Sequence, residues 1–231
     1  NIERAVLVTE ENERLELDGF ISFEPGSQGT SVNVKMAGNH LQRLLSRLNT
    51  GIEIPVMPYE AGGQVRILEQ GVRLDGVKAE FADIKLAVDG LIIPRNELVG
   101  TGLDIQVEGE NFSSLGSIPF LSDAVGIFAP DQPHQVAGRF EIVSNGWRLD
   151  DASGKLGETG VALDGLIINQ PGLEETNFSF SINGPDLHAF LADAGDYGLP
   201  AGLFETSGKL SISGDSIIAE DLTFKTANMR G

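Results

Sequence analysis

A mainly β fold, an elongated and curled antiparallel sheet carrying short α-helices, is predicted by three observations. Apolar and polar residues alternate along many short segments, glycines punctuate those segments, and the whole pattern recurs with a period of 70 to about 75 residues. The 231 residues include 29 glycines, 41% are hydrophobic and only 6% are aromatic. That balance suits short strands separated by turns better than packed helices.

The repeat comes first, because it organises everything else. Leu17-Asp18-Gly19-Phe20-Ile21 returns as Val88-Asp89-Gly90-Leu91-Ile92 and as Leu163-Asp164-Gly165-Leu166-Ile167, at offsets of 71 and then 75. At the same offsets Val32, Val34 and Met36 become Leu103, Ile105 and Val107, then Phe178, Phe180 and Ile182. These runs close on Gly38, Gly109 and Gly184. A second run matches Val65 and Ile67 with Phe140 and Ile142, and with Leu210 and Ile212. Around it, Pro55, Pro58, Gly63, Gly71 and Asp75 match Pro130, Pro133, Gly138, Gly146 and Asp150. The units divide the chain into the end of a partial repeat (1–38), repeats over 38–109 and 109–184, and a partial repeat over 184–231. A chain cut inside a unit at both ends is expected to be an internal piece of a longer protein.

Within a unit, Ser31-Val32-Asn33-Val34-Lys35-Met36 is apolar at every second position. Successive strand side chains point to opposite faces, so one face is oily and the other wet. Arg14-Leu15-Glu16-Leu17 and Asp83-Ile84-Lys85-Leu86-Ala87-Val88 read the same way. The Asp-Gly pairs leave two readings open: a two-residue hairpin turn, or an in-strand bulge or bend. After Gly38, Leu41, Leu44, Leu45 and Leu48 form a helical apolar stripe between Asn39 as cap and Thr50-Gly51 as stop. Leu187, Phe190, Leu191 and Ala194 repeat it. The second copy keeps Phe112 and Leu115 but carries Gly116 and Pro119, which predicts a short or broken helix. Such a stripe reads as a lid over the apolar face.

Charge narrows the partners. The formal net charge is −18, which disfavours nucleic acid and anionic membrane surfaces. Cysteine is absent, removing disulfides, thiolate metal sites and thiol nucleophiles. No apolar stretch approaches the ~18 residues of a membrane span, so any membrane anchor is expected outside this segment.

The search for chemistry is negative. There is no Gly-x-Ser-x-Gly elbow and no phosphate-binding loop, and Gly100-Thr101-Gly102 lacks the third glycine of a dinucleotide fingerprint. His40, His134 and His188 share no repeat register and read as surface or helix-end residues. Asp18, Asp89 and Asp164 are too sparse for calcium, which needs six to eight oxygens in one loop, and read as turn or bulge residues. Asn111-Phe112-Ser113 and Asn177-Phe178-Ser179 match the glycosylation triplet weakly. No enzyme, cofactor or metal is expected.

Strand, glycine, short Leu-rich helix, proline, glycine, strand and Asp-Gly strand in succession resembles the AsmA-like family of bacterial envelope proteins, which includes AsmA and TamB relatives. The resemblance is carried by Gly38-Asn39-His40-Leu41-Gln42-Arg43-Leu44-Leu45, by Gly184-Pro185-Asp186-Leu187-His188-Ala189-Phe190-Leu191, and by Ala61-Gly62-Gly63-Gln64-Val65-Arg66-Ile67 with Ser207-Gly208-Lys209-Leu210-Ser211-Ile212. It spans nearly the whole chain, through loose patterns of glycine and alternation. It implies a periplasmic protein anchored to the inner membrane, with a curled, taco-like β-groove. It also implies transfer of phospholipid or another acyl lipid between inner and outer membranes, support of outer-membrane integrity, envelope protein partners and no catalytic residues.

On that reading the groove wall comprises Val32, Val34, Met36, Val65, Ile67, Leu86, Val88, Leu103, Ile105, Val107, Phe140, Ile142, Phe178, Phe180, Ile182, Leu210 and Ile212. The same residues could instead fill a closed, dry core between two sheets. A repeat module for binding or adhesion is a further alternative; it calls for aromatic clusters or calcium loops, whereas Trp147, Tyr59 and Tyr197 stand apart in the sequence.

Overall fold

The computed structural model describes residues 2–8, 13–23, 25–42, 56–117, 132–168, 175–190, 202–213 and 216–226. Among these residues thirteen strands form one antiparallel sheet in which spatial order follows chain order. They are β1 (Ile2–Val8), β2 (Arg14–Phe20), β3 (Ser31–Gly38), β4 (Tyr59–Ile67), β5 (Val72–Phe81), β6 (Ile84–Ile92) and β7 (Gly102–Gly109). The remainder are β8 (His134–Val143), β9 (Gly146–Leu156), β10 (Thr159–Ile168), β11 (Asn177–Gly184), β12 (Phe204–Ser213) and β13 (Ser216–Thr226). The sheet is not closed: β1 and β13 are its outer strands.

Among the described residues helical structure is slight. The described part of the third stripe forms α1 (Leu187–Phe190), where Leu187 and Phe190 pack on Leu156 and Phe204, while Leu191 and Ala194 lie outside the described residues. The second stripe is a 3₁₀ segment, Phe112–Ser117, consistent with the effect expected of Gly116. Most of the first stripe, including Leu44, Leu45 and Leu48, lies outside the described residues.

The Asp-Gly pairs are not hairpin turns. Gly19, Gly90 and Gly165 sit inside β2, β6 and β10 with φ of 134°, 150° and 149°. The carbonyl oxygens of Ser31, Gly102 and Asn177 on the following strand crowd the space a Cβ would need. The preceding aspartates have a separate task. In β5 the bulge residue Gly76 donates its N–H to Asp89 Oδ1 (2.7 Å), and in β9 the bulge residue Asp151 donates to Asp164 Oδ2 (3.2 Å). Each carboxylate thus serves an amide that the bulge takes out of the ladder. The opposing strand carries a glycine at each bulge, because a Cβ on Gly63 or Gly138 would come within 2.6 Å of the Cα of Val77 or Ala152.

A buried threonine precedes β3, β7 and β11. Thr30, Thr101 and Thr176 are 6%, 2% and 3% exposed. Their hydroxyls accept from the amides of Ser22, Ile93 and Ile168 (3.0, 2.9 and 2.9 Å). Their carbonyls accept from Ile67, Ile142 and Ile212 (2.9, 2.9 and 2.8 Å). One residue thereby ties the ends of two neighbouring strands. Thr101→Val keeps the shape but strands the Ile93 amide, and is expected to cost about 1–3 kcal/mol in urea denaturation.

The apolar face as candidate functional site

Directly paired residues of an antiparallel ladder lie on the same face, so the register shows which side chains share a surface. One row crosses the sheet through Ala5, Leu17, Val34, Gly63, Val77, Val88, Ile105, Gly138, Ala152, Leu163, Phe180, Gly208 and Leu222. A second runs through Gly19, Val32, Val65, Leu74, Gly90, Leu103, Phe140, Leu149, Gly165, Phe178, Leu210 and Ala219. A third passes Leu15, Met36, Ala61, Ala79, Leu86, Val107, Val136, Gly154, Val161 and Ile182 to Thr206 and Phe224. Thr206 is the one hydroxyl-bearing residue in the three.

Every residue expected on the groove wall falls on this face. Ile67, Ile142 and Ile212 pair with Val72, Trp147 and Ile217 to form its margin. All of the expected wall residues are half-buried. They are neither sealed as in a two-sheet core nor fully open to solvent.

Several members are not expected from the sequence: Leu74, Val77, Ala79, Trp147, Leu149 and Ala152 of β5 and β9. The bulge places apolar residues three apart, as between Leu74 and Val77, and so breaks the period of two that marks a strand. The signal is present in each half of the strand but switches parity midway.

The opposite face is wet and clamped by cross-strand ion pairs. The Arg66 guanidinium grips Asp75 through Nε–Oδ2 and Nη2–Oδ1 contacts of 2.6 and 2.9 Å, with Arg73 adding a contact at 3.2 Å. The Arg66 hydrogen bonds hold the Asp75 carboxyl below the usual range. Arg139 meets Asp104, and Arg148 meets Glu141, both at 3.3 Å. Exposed pairs of this kind add little stability individually, yet they fix which face meets water.

At one margin the cross-strand row runs through Tyr59, Phe81, Ile84, Gly109, His134 and Leu156. His134 is a correction to the surface reading: it is 3% exposed, and its ring stands edge-on to Phe112 at 5.7 Å. Neither ring nitrogen meets a partner among the described residues. Burial pushes its pKa below the ordinary 6.5, opposed in part by the Asp83 carboxylate. Asp83 itself is held low by hydrogen bonds from Ser114 and Asn111.

A base whose folded pKa is depressed binds fewer protons folded than unfolded. Its contribution to stability is therefore complete above 6.5 and is lost as pH falls below that value. His134→Phe, which installs the aromatic that Phe204 provides in the next copy, should remove this dependence. Urea titrations between pH 7 and 5.5 should show the unmodified protein losing more stability than the variant, by at most about 1.4 kcal/mol per pH unit.

Among the described residues no group of three or more His, Asp or Glu is placed to hold a metal ion, and no helix is long and apolar enough to cross a membrane. Nothing matches this chain among protein-family models, curated proteins or solved structures.

Proposed function

We propose that this chain is a non-catalytic segment of an AsmA-like, periplasmic, inner-membrane-anchored protein that carries phospholipid acyl chains between inner and outer membranes. On this reading the successive repeat units curl so that the apolar face lines a groove. The observation that carries the proposal is the set of three near-continuous apolar rows crossing the whole sheet.

Each strand adds ~4.8 Å, so thirteen strands make a band about 58 Å long. A methylene exposed to water costs ~0.8 kcal/mol, and a sixteen-carbon chain therefore about 13 kcal/mol. A continuous apolar surface removes that barrier without any bond being made or broken. The half-burial of the face favours this reading over a dry two-sheet core, because such a core would exclude water from the same residues.

The test is mass spectrometry of lipids bound to protein purified from membrane-exposed preparations. Co-purification of glycerophospholipid in stoichiometric amount is expected. Lipid-free protein, together with side chains on this face protected from solvent labelling, would overturn the proposal in favour of the closed core.

A further inference from the structure

β13 matches β9 closely, but among the described residues it has only one of β9's two neighbours. In β9 the bulge at Asp151 follows Asp150; in β13 the bulge at Asp221 follows Glu220, and the two bulge residues share φ of 53°. The β9 bulge amide is taken by Asp164 of β10, and the β5 bulge amide by Asp89 of β6. Among the described residues no strand lies on the outer side of β13 to supply such a carboxylate. The side chains there are bare as well. Ile217, Leu222 and Phe224 are 73%, 60% and 43% exposed. Trp147, Ala152 and Gly154, at the corresponding places in β9 between two neighbours, are half-buried.

We infer that the outer edge of β13 is a strand-accepting surface, and that its partner is an extended Asp-Gly strand of the β10 kind. The β9–β10 register fixes the pairing. The partner's equivalents of Val161, Leu163, Gly165 and Ile167 lie opposite Phe224, Leu222, Ala219 and Ile217, and its aspartate accepts the Asp221 N–H. Main-chain bonds supply attachment, and the alternate apolar side chains supply selectivity. Charge separates the β6-like and β10-like strands as models. A β10-like strand sets a glycine opposite Lys225, whereas a β6-like strand sets Lys85 there, opposing two cations. This inference does not depend on lipid transport.

The probe is a labelled synthetic peptide of residues 158–168 with a solubilising lysine tail, added to the whole chain. Binding is read by fluorescence anisotropy, and its location by amide hydrogen exchange. Saturable binding that slows exchange across 216–226 is expected, with at least about tenfold weaker binding for the Asp164→Ala peptide and weaker binding for the 83–93 peptide. No binding, equal binding of the Asp164→Ala or a scrambled peptide, or protection at β1 instead would each overturn the inference. So would pairing of β13 with β13 of a second copy that the peptide fails to displace.

Discussion

Ile105→Asp is expected to reduce bound acyl lipid at least tenfold while the protein stays folded. Ile105 lies mid-row between Val88 and Gly138 on the apolar face, near the middle of the sheet. A carboxylate there keeps contact with water, because the site is only half-buried, so it stays ionised and hydrated. An acyl chain passing over it must then strip that hydration or leave the surface. The fold loses roughly 2 kcal/mol of apolar contact, a cost that a sheet of this size can absorb. Phe180→Asp tests the same row beside Gly208. Bound lipid is measured by mass spectrometry and folding by circular dichroism. Unfolding of both variants would show instead that these side chains form a sealed core.

Gly165→Ala should cost about 2–6 kcal/mol. At φ of 149° a residue bearing a Cβ is strained by about 1–3 kcal/mol. The added methyl also presses on the Asn177 carbonyl and the Cα of Phe178, 2.5 Å away, both in the next strand. Overpacking of that sort adds a similar amount. The strands cannot separate to relieve it without giving up the β10–β11 ladder around Leu166 and Asn177. Ala162→Ser, on the wet face of the same strand, should change stability by less than ~0.5 kcal/mol. Thermal and urea unfolding of the pair separate the two outcomes; equal stabilities would contradict the argument.

The sheet is legible in the sequence where alternation runs uninterrupted. Period alone assigns Val32, Val34 and Met36, and their counterparts in β7 and β11, to one face, and the register places them there. Alternation fails in β5 and β9, where the bulge shifts parity and Leu74 and Val77 no longer read as members of one strand. The Asp-Gly pairs are visible but ambiguous, because hairpin turns and in-strand bends favour the same dipeptide. Only the neighbouring carbonyls of Ser31, Gly102 and Asn177 decide between them.

Thr30, Thr101 and Thr176 escape a reading by pattern although they stand at the repeat's own offsets of 71 and 75. A threonine beside a strand is ordinary; its burial arises from two backbone partners distant in sequence. The surface reading of His134 fails for a related reason. Its counterparts in the preceding and following copies are Tyr59 and Phe204, so the position requires a buried ring, and a histidine in isolation does not reveal that.

The order of the strands bears on how this protein comes apart. Each strand contacts chiefly the strands before and after it in the chain, so no pairing skips over a strand. Assembly can proceed strand by strand, with the loop-closure cost concentrated in the long connections between β3 and β4, β7 and β8, and β11 and β12. Disassembly can begin at either flank and travel inward without first breaking the middle. Exchange of amide hydrogens should accordingly be graded, fastest in β1 and β13 and slowest around β7.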